Sequence, residues 1–205
     1  MTEIQHLNSK IQELMKCNVF SEELIDKIGK EIDAFDINEP LIILDLIKLN
    51  IKNEDIRSLN SILEILFSTY NFDGKTEQKI SVALTETLSS LTQFYNKLKN
   101  PNIETSYYLI FDIFFHNPGL IEELNHKMRD SLIYEIKKIS KFKYSIDKSK
   151  DSDLLMALQK IIEVSFYFGE QQGKKILEIN FLNHFDTFII ACAKDELETN
   201  LPNIF

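Results

Sequence analysis

Residues Tyr107 to Phe115 form a run of nine in which only Asp112 is neither apolar nor aromatic. A run of this kind must be covered on nearly all sides, and it falls well short of the roughly 20 residues that a membrane-spanning helix needs. Asn117, Pro118 and Gly119 follow almost at once. Proline offers no backbone donor and disfavours helix in the residue before it, so the run ends sharply. The stretch therefore predicts an interior helix around which the rest of the chain packs.

The surrounding sequence is helical too. Five glycines and four prolines in 205 residues are too few for the dense turns of an all-β sandwich, and strand-like alternation is nowhere sustained. Thr2 and Gln5 have the spacing of a capping box ahead of the stripe Ile4, Leu7, Ile11, Leu14 and Met15. Ser21 can cap a second helix with Leu24, Ile25, Ile28, Ile32 and Phe35, and Pro40 opens an apolar third. Asn53 is the expected cap of a fourth, with Ile56, Leu59, Ile62, Leu63, Leu66, Phe67 and Tyr70 on one face. Beyond the Asp73-Gly74 turn, Ile80, Leu84, Leu88, Leu91, Tyr95 and Leu98 keep one face for more than five turns. Leu120 to Ile139 continues at helical spacing with a break expected near Arg129 and Asp130, and Leu154 to Phe168 marks a further helix closed by Gly169. Segments 171–179 and 181–194 make a final pair, and the polar segment 141–153 reads as an exposed loop. The expectation is a single all-α domain over residues 1–205, either an α-solenoid of helical hairpins or an irregular helical bundle.

The formal net charge is -9, with the excess acid at the two ends of the chain. A nucleic-acid binder needs cationic side chains to displace counterions from phosphates, and only Arg57 and Arg129 are arginines. The balance is instead compatible with a basic protein partner. Cys17 and Cys192 have no motif spacing, so neither a disulfide framework nor a cysteine metal site is indicated. The N-terminal residues lack the pattern of a secretory signal, and no segment is apolar for long enough to span a bilayer, so the expected compartment is the cytoplasm.

The chain also matches itself. Ile62, Ile65, Leu66, Phe67, Ile80, Leu84, Leu88 and Leu91 fall on Ile110, Ile113, Phe114, Phe115, Met128, Leu132, Ile136 and Ile139 at a constant shift of 48. A shift of 53 carries Ile113, Phe114 and Phe115 onto Phe166, Tyr167 and Phe168, and Leu132 and Ile136 onto Phe185 and Ile189. The segments 115–124 and 171–182 resemble the junctions between short and long helices in armadillo and HEAT repeats, over about residues 40–195. The sequence departs from typical armadillo repeats at the second junction, where Asn180 stands in place of glycine. The resemblance implies a protein-binding surface on a superhelix. More faintly, an acidic helical-repeat protein of this kind is similar to some bacterial immunity proteins that neutralise toxins. HEAT-like DNA glycosylases show a nucleic-acid use of the same scaffold, but this chain has no tryptophan to stack on bases.

Candidate chemistry is sparse. Glu3 with His6 and Glu123 with His126 have the Glu-x-x-His spacing of di-iron bundles, yet His6 lies off the apolar stripe of its helix. His184 and Asp186 point apart on a helix and lack a nucleophile. Cys192 shares a stripe with Phe185 and Ile189, as expected of a buried inert thiol. Lys137, Lys138, Lys141, Lys143, Lys148 and Lys150, interleaved with Phe142 and Tyr144, are the one cluster that could attract an anion or nucleic acid, and they read first as a helix C-terminus running into a solvated loop. No catalytic residue, metal ligand, cofactor or small-molecule substrate is indicated. Binding residues follow from the repeat register: opposite the stripe of Ile80, Leu84, Leu88 and Leu91 lie Val82, Glu86 and Ser89, and the shifts carry that row to Asp130, Tyr134 and Lys137 and then to Thr187. Tyr134, Glu86, Asp130, Lys137 and Thr187 are the expected contact row, with Tyr134 as its anchor.

Overall fold

A computed structural model of the chain describes residues 3–17, 22–33, 39–69, 74–98, 102–141, 153–169 and 171–178. Among these residues the structure is all-α, with no strand. The helices are α1 Glu3–Cys17, α2 Glu22–Asp33, α3 Glu39–Lys52, α4 Ile56–Thr69, α5 Gly74–Leu98, α6 Asn102–His116, α7 Gly119–Glu122, α8 His126–Ile139 and α9 Asp153–Ser165. A 3-10 turn, Phe166–Phe168, extends α9, and segment 171–178 is helical. Gly169 closes the turn with φ +80°, a backbone that glycine adopts without steric cost.

The predicted stripes are the buried ones. Leu7, Ile11 and Met15 of α1, Leu24, Ile28 and Ile32 of α2, and Ile80, Leu84, Leu88 and Leu91 of α5 all lie in one continuous core. Two helix ends differ from expectation. Asp55, not Asn53, caps α4, its carboxylate accepting from the Ser58 backbone N–H at 3.1 Å. The displacement arises because α3 ends in a Schellman-type turn: the Asp55 N–H donates to Asn50 O and the Glu54 N–H to Ile51 O. Glu54 sits at φ 54°, a left-handed position where glycine is usual. The break before α8 falls earlier than Arg129 and Asp130. Asn125 caps that helix by accepting from Met128 N–H at 3.0 Å, and Arg129 lies inside it, donating back to Ile121 O at 3.0 Å. Thr2, Ser21 and most of segments 141–153 and 179–194 lie outside the described residues.

Packing sorts the helices into two rows. α1 lies on α3, α3 on α5 and α5 on α8, while α2 lies on α4, α4 on α6 and α6 on α9. Cross-row contacts join α1 to α2, α3 to α4 and α5 to α6. The most extensive contact is between α6 and α9, and the next is between α4 and α6. Helix α6 contains the run 107–115, and it is interior as expected: Tyr107, Leu109, Ile110, Phe111, Asp112, Ile113 and Phe114 are all buried, while Tyr108 and Phe115 are half-buried. The helices matched at the shift of 48, α4 with α6 and α5 with α8, are neighbours within a row.

Candidate interaction surfaces

The predicted contact row belongs to the side of the molecule built by α3, α5 and α8. Tyr134 is 59% exposed, and Asp130 and Glu86 are also exposed, whereas Lys137 is half-buried. Helical geometry explains the exposure of Tyr134, which lies nearly opposite the buried Leu132 and Ile136 of its own helix. The Lys138 ammonium sits 4.2 Å from the centroid of the Tyr134 ring, and it is held at 3.0 Å by the Glu135 carboxylate, which is only 2% exposed. The ring is thereby braced from below by a cation that a buried charge fixes in place. Glu86 and Val82 instead line a shallow groove of about 420 Å³ between α3 and α5, with Leu44 and Ala83 at its floor and Asp45, Lys48 and Lys79 at its rim. The structure thus places Asp130, Tyr134 and Lys137 on α8 and Glu86 on the neighbouring α5. Thr187 lies outside the described residues.

The other row carries a cluster of charges and rings that helical periodicity does not reveal. On α6, Tyr108, Asp112 and His116 follow one another at four-residue spacing and so share a face. Asp112 is 6% exposed. Among the described residues its Oδ1 meets no donor at hydrogen-bond angles, but the Lys160 ammonium of α9 lies 3.1 Å away and supplies the opposing charge. Lys160 also pairs with Glu163 at 2.9 Å and stands 4.1 Å from the centroid of the Phe115 ring. Burial alone would push the Lys160 ammonium down, but the carboxylates of Glu163 and Asp112 outweigh it and hold it above the ordinary lysine range. His116 Nε2 is 3.6 Å from Asp112 Oδ1, an ion pair whenever the imidazole is protonated.

Rings run beside these charges from α4 to the end of α9. Phe67 meets His116 edge to face at 5.3 Å, His116 meets Phe115 at 5.0 Å, and Phe115 lies 6.5 Å from Tyr167. The Tyr167 hydroxyl donates to Phe115 O at 3.2 Å, tying the 3-10 turn to α6. Phe67, Phe115 and Tyr167 are half-buried and His116 is exposed, so the strip is ordered but not covered. Glu64 stands one turn before Phe67 on α4. Burial first, and the nearby Asp112 charge second, hold its carboxyl above the ordinary carboxylate value.

Only one signal in the sequence could have located this strip, namely Asp112 as the single charged residue in the run 107–115. A charge there needs a partner, but nothing local names Lys160. No group of three or more His, Cys, Asp or Glu side chains among the described residues is placed to share a metal ion. Glu123 and His126 are both exposed, and so is His6. No described helix is long and apolar enough to cross a membrane. No protein-family model, curated protein or solved structure matches the chain.

Proposed function

We propose that the chain is a non-catalytic protein-binding module, an α-solenoid of armadillo/HEAT-like type that engages a partner protein along the exposed side of its stacked helices. The observation that supports this reading is the two-row packing, in which α1, α3, α5 and α8 follow one another on one side and α2, α4, α6 and α9 on the other. Like-on-like stacking of this sort gives an extended surface to which each repeat contributes a few side chains. Tyr134 is the anchor of this surface on α8, with Asp130 and Lys137 on the same helix and Glu86 on the neighbouring α5. A large ring whose position is already set by Lys138 loses little freedom when a partner covers it. Neutralising a toxin by occlusion is one form such binding would take.

The test uses the full-length chain. A protein captured from the native source is purified and titrated calorimetrically against the native chain and Tyr134→Ala. Saturable one-to-one binding, weakened by about 1 kcal/mol or more in a variant whose melting temperature is unchanged, supports the reading. A partner bound equally well by both forms moves the anchor elsewhere. The absence of any saturable protein ligand overturns the module itself.

A further inference from the structure

We infer that the face built by α4, α6 and α9 is a second docking surface, one that takes a basic segment of a partner protein and seats a lysine or arginine side chain beside Glu64 with its stem along the Phe67–His116 edge. The inference is independent of the Tyr134 face. It rests on how charge and rings are distributed across three adjacent helices. Lys160 is already committed to Asp112 and Glu163, at 3.1 and 2.9 Å. Glu64 has no hydrogen bond or ion pair among the described residues, although it is half-buried.

Among the described residues the strip holds three acids, Glu64, Asp112 and Glu163, against Lys160 and His116, so it carries net negative charge in either protonation state of the imidazole. A half-buried carboxylate with no partner among the described residues is under-solvated there, and an incoming cation gains more than at a fully wet acid on the surface. The rings set the shape of the visitor. Phe67 lies one turn after Glu64 on α4 and touches His116 of α6. A side chain that is apolar along its stem and cationic at its tip matches a carboxylate flanked by half-covered rings. Phe115 and Tyr167 prolong the strip toward α9 and accommodate apolar neighbours of that cation in the same segment.

The experiment selects binders rather than assuming one. A random-peptide phage library is panned on the immobilised full-length chain. The recovered peptides are synthesised and titrated against the native chain, Glu64→Gln and Glu13→Gln. Glu13 lies exposed on α1, a helix that carries none of the strip's residues, so the last variant removes the same charge elsewhere. The expected result is enrichment of peptides with a lysine or arginine next to aliphatic or aromatic residues. Their affinity should fall roughly tenfold in Glu64→Gln and less than about twofold in Glu13→Gln. Thermal melting confirms that both variants are folded. Peptides that lack a cation, or that weaken equally in the two variants, overturn the inference while leaving the Tyr134 face untouched. Self-association of the chain through this face, shown by sedimentation and abolished by Phe67→Ser, overturns it in favour of a second copy as the occupant.

Discussion

Helices α6 and α8 both bury a clean apolar stripe, yet they treat their polar side chains in opposite ways. On α6 the polar groups reach other helices. Glu104 accepts from the Tyr95 hydroxyl of α5 at 2.9 Å, Ser106 donates to Asn60 of α4, Thr105 bonds to Asp153 of α9, and Asp112 pairs with Lys160 of α9. On α8 they stay close to home: Lys138 pairs with Glu135 and covers Tyr134, Asn125 caps its own helix, and Arg129 reaches only the end of α7. The difference follows from the number of neighbours. Among the described residues α6 has α4, α5 and α9 against it, whereas α8 shares an extended contact with α5 alone. A helix surrounded on three sides cannot leave its polar residues to water, so they become ties between helices. A helix covered on one side can satisfy them within its own turns.

The sharpest way to break this contrast is to empty the interior of α6. Phe114→Ala should cost about 3–5 kcal/mol in chemical denaturation, the range for a fully buried aromatic. Phe115→Ala should cost clearly less, because that ring is only half-buried. Equal losses would mean that α6 is not enclosed in the way described.

The inter-helix ties come next in size. Asp112→Ala removes the buried charge facing Lys160, and a loss of about 1–3 kcal/mol is expected because the lysine retains Glu163. A double-mutant cycle with Lys160→Ala isolates the pair. Coupling indistinguishable from zero would reduce the tie to a surface contact.

Glu64 sharpens the comparison through pH. Its carboxyl titrates above the ordinary value of 4.5 when folded, so the folded chain holds this proton more tightly than the unfolded chain does. Stability from this group is therefore greatest in acid and falls as pH rises through that window. Glu64→Gln should be the more stable form near neutral pH, by less than about 1 kcal/mol, and the gap should close as pH falls toward the ordinary carboxylate range. Denaturation curves at several pH values check the sign, and a variant less stable than the native chain at neutral pH contradicts it.

The smallest effect belongs to α8. Tyr134→Ala should change stability by no more than about 0.5 kcal/mol, since the ring is mostly exposed and, among the described residues, is braced by the Lys138 ammonium. A larger loss, measured by thermal melting, would place the ring among the packed residues and close the contrast with α6.

Periodicity alone determined much of this protein. The all-α class, the buried stripes of α1, α2, α4 and α5, the interior position of residues 107–115 and the closure at Gly169 were all legible, because a helix buries every third or fourth residue and that spacing is written locally. Helix ends were less legible. Asn53 and Asp55 are both competent caps, and only the left-handed turn at Glu54 decides between them. The exposure of Tyr134, Asp130 and Glu86 follows from spacing on a helix too, although Lys137 of the same row is half-buried. The strip of Glu64, Asp112, His116 and Lys160 was decided by the tertiary structure. Asp112 and Lys160 are far apart in the chain and meet only because α6 and α9 stack in one row, and a charge carries no record in the sequence of which distant charge will face it.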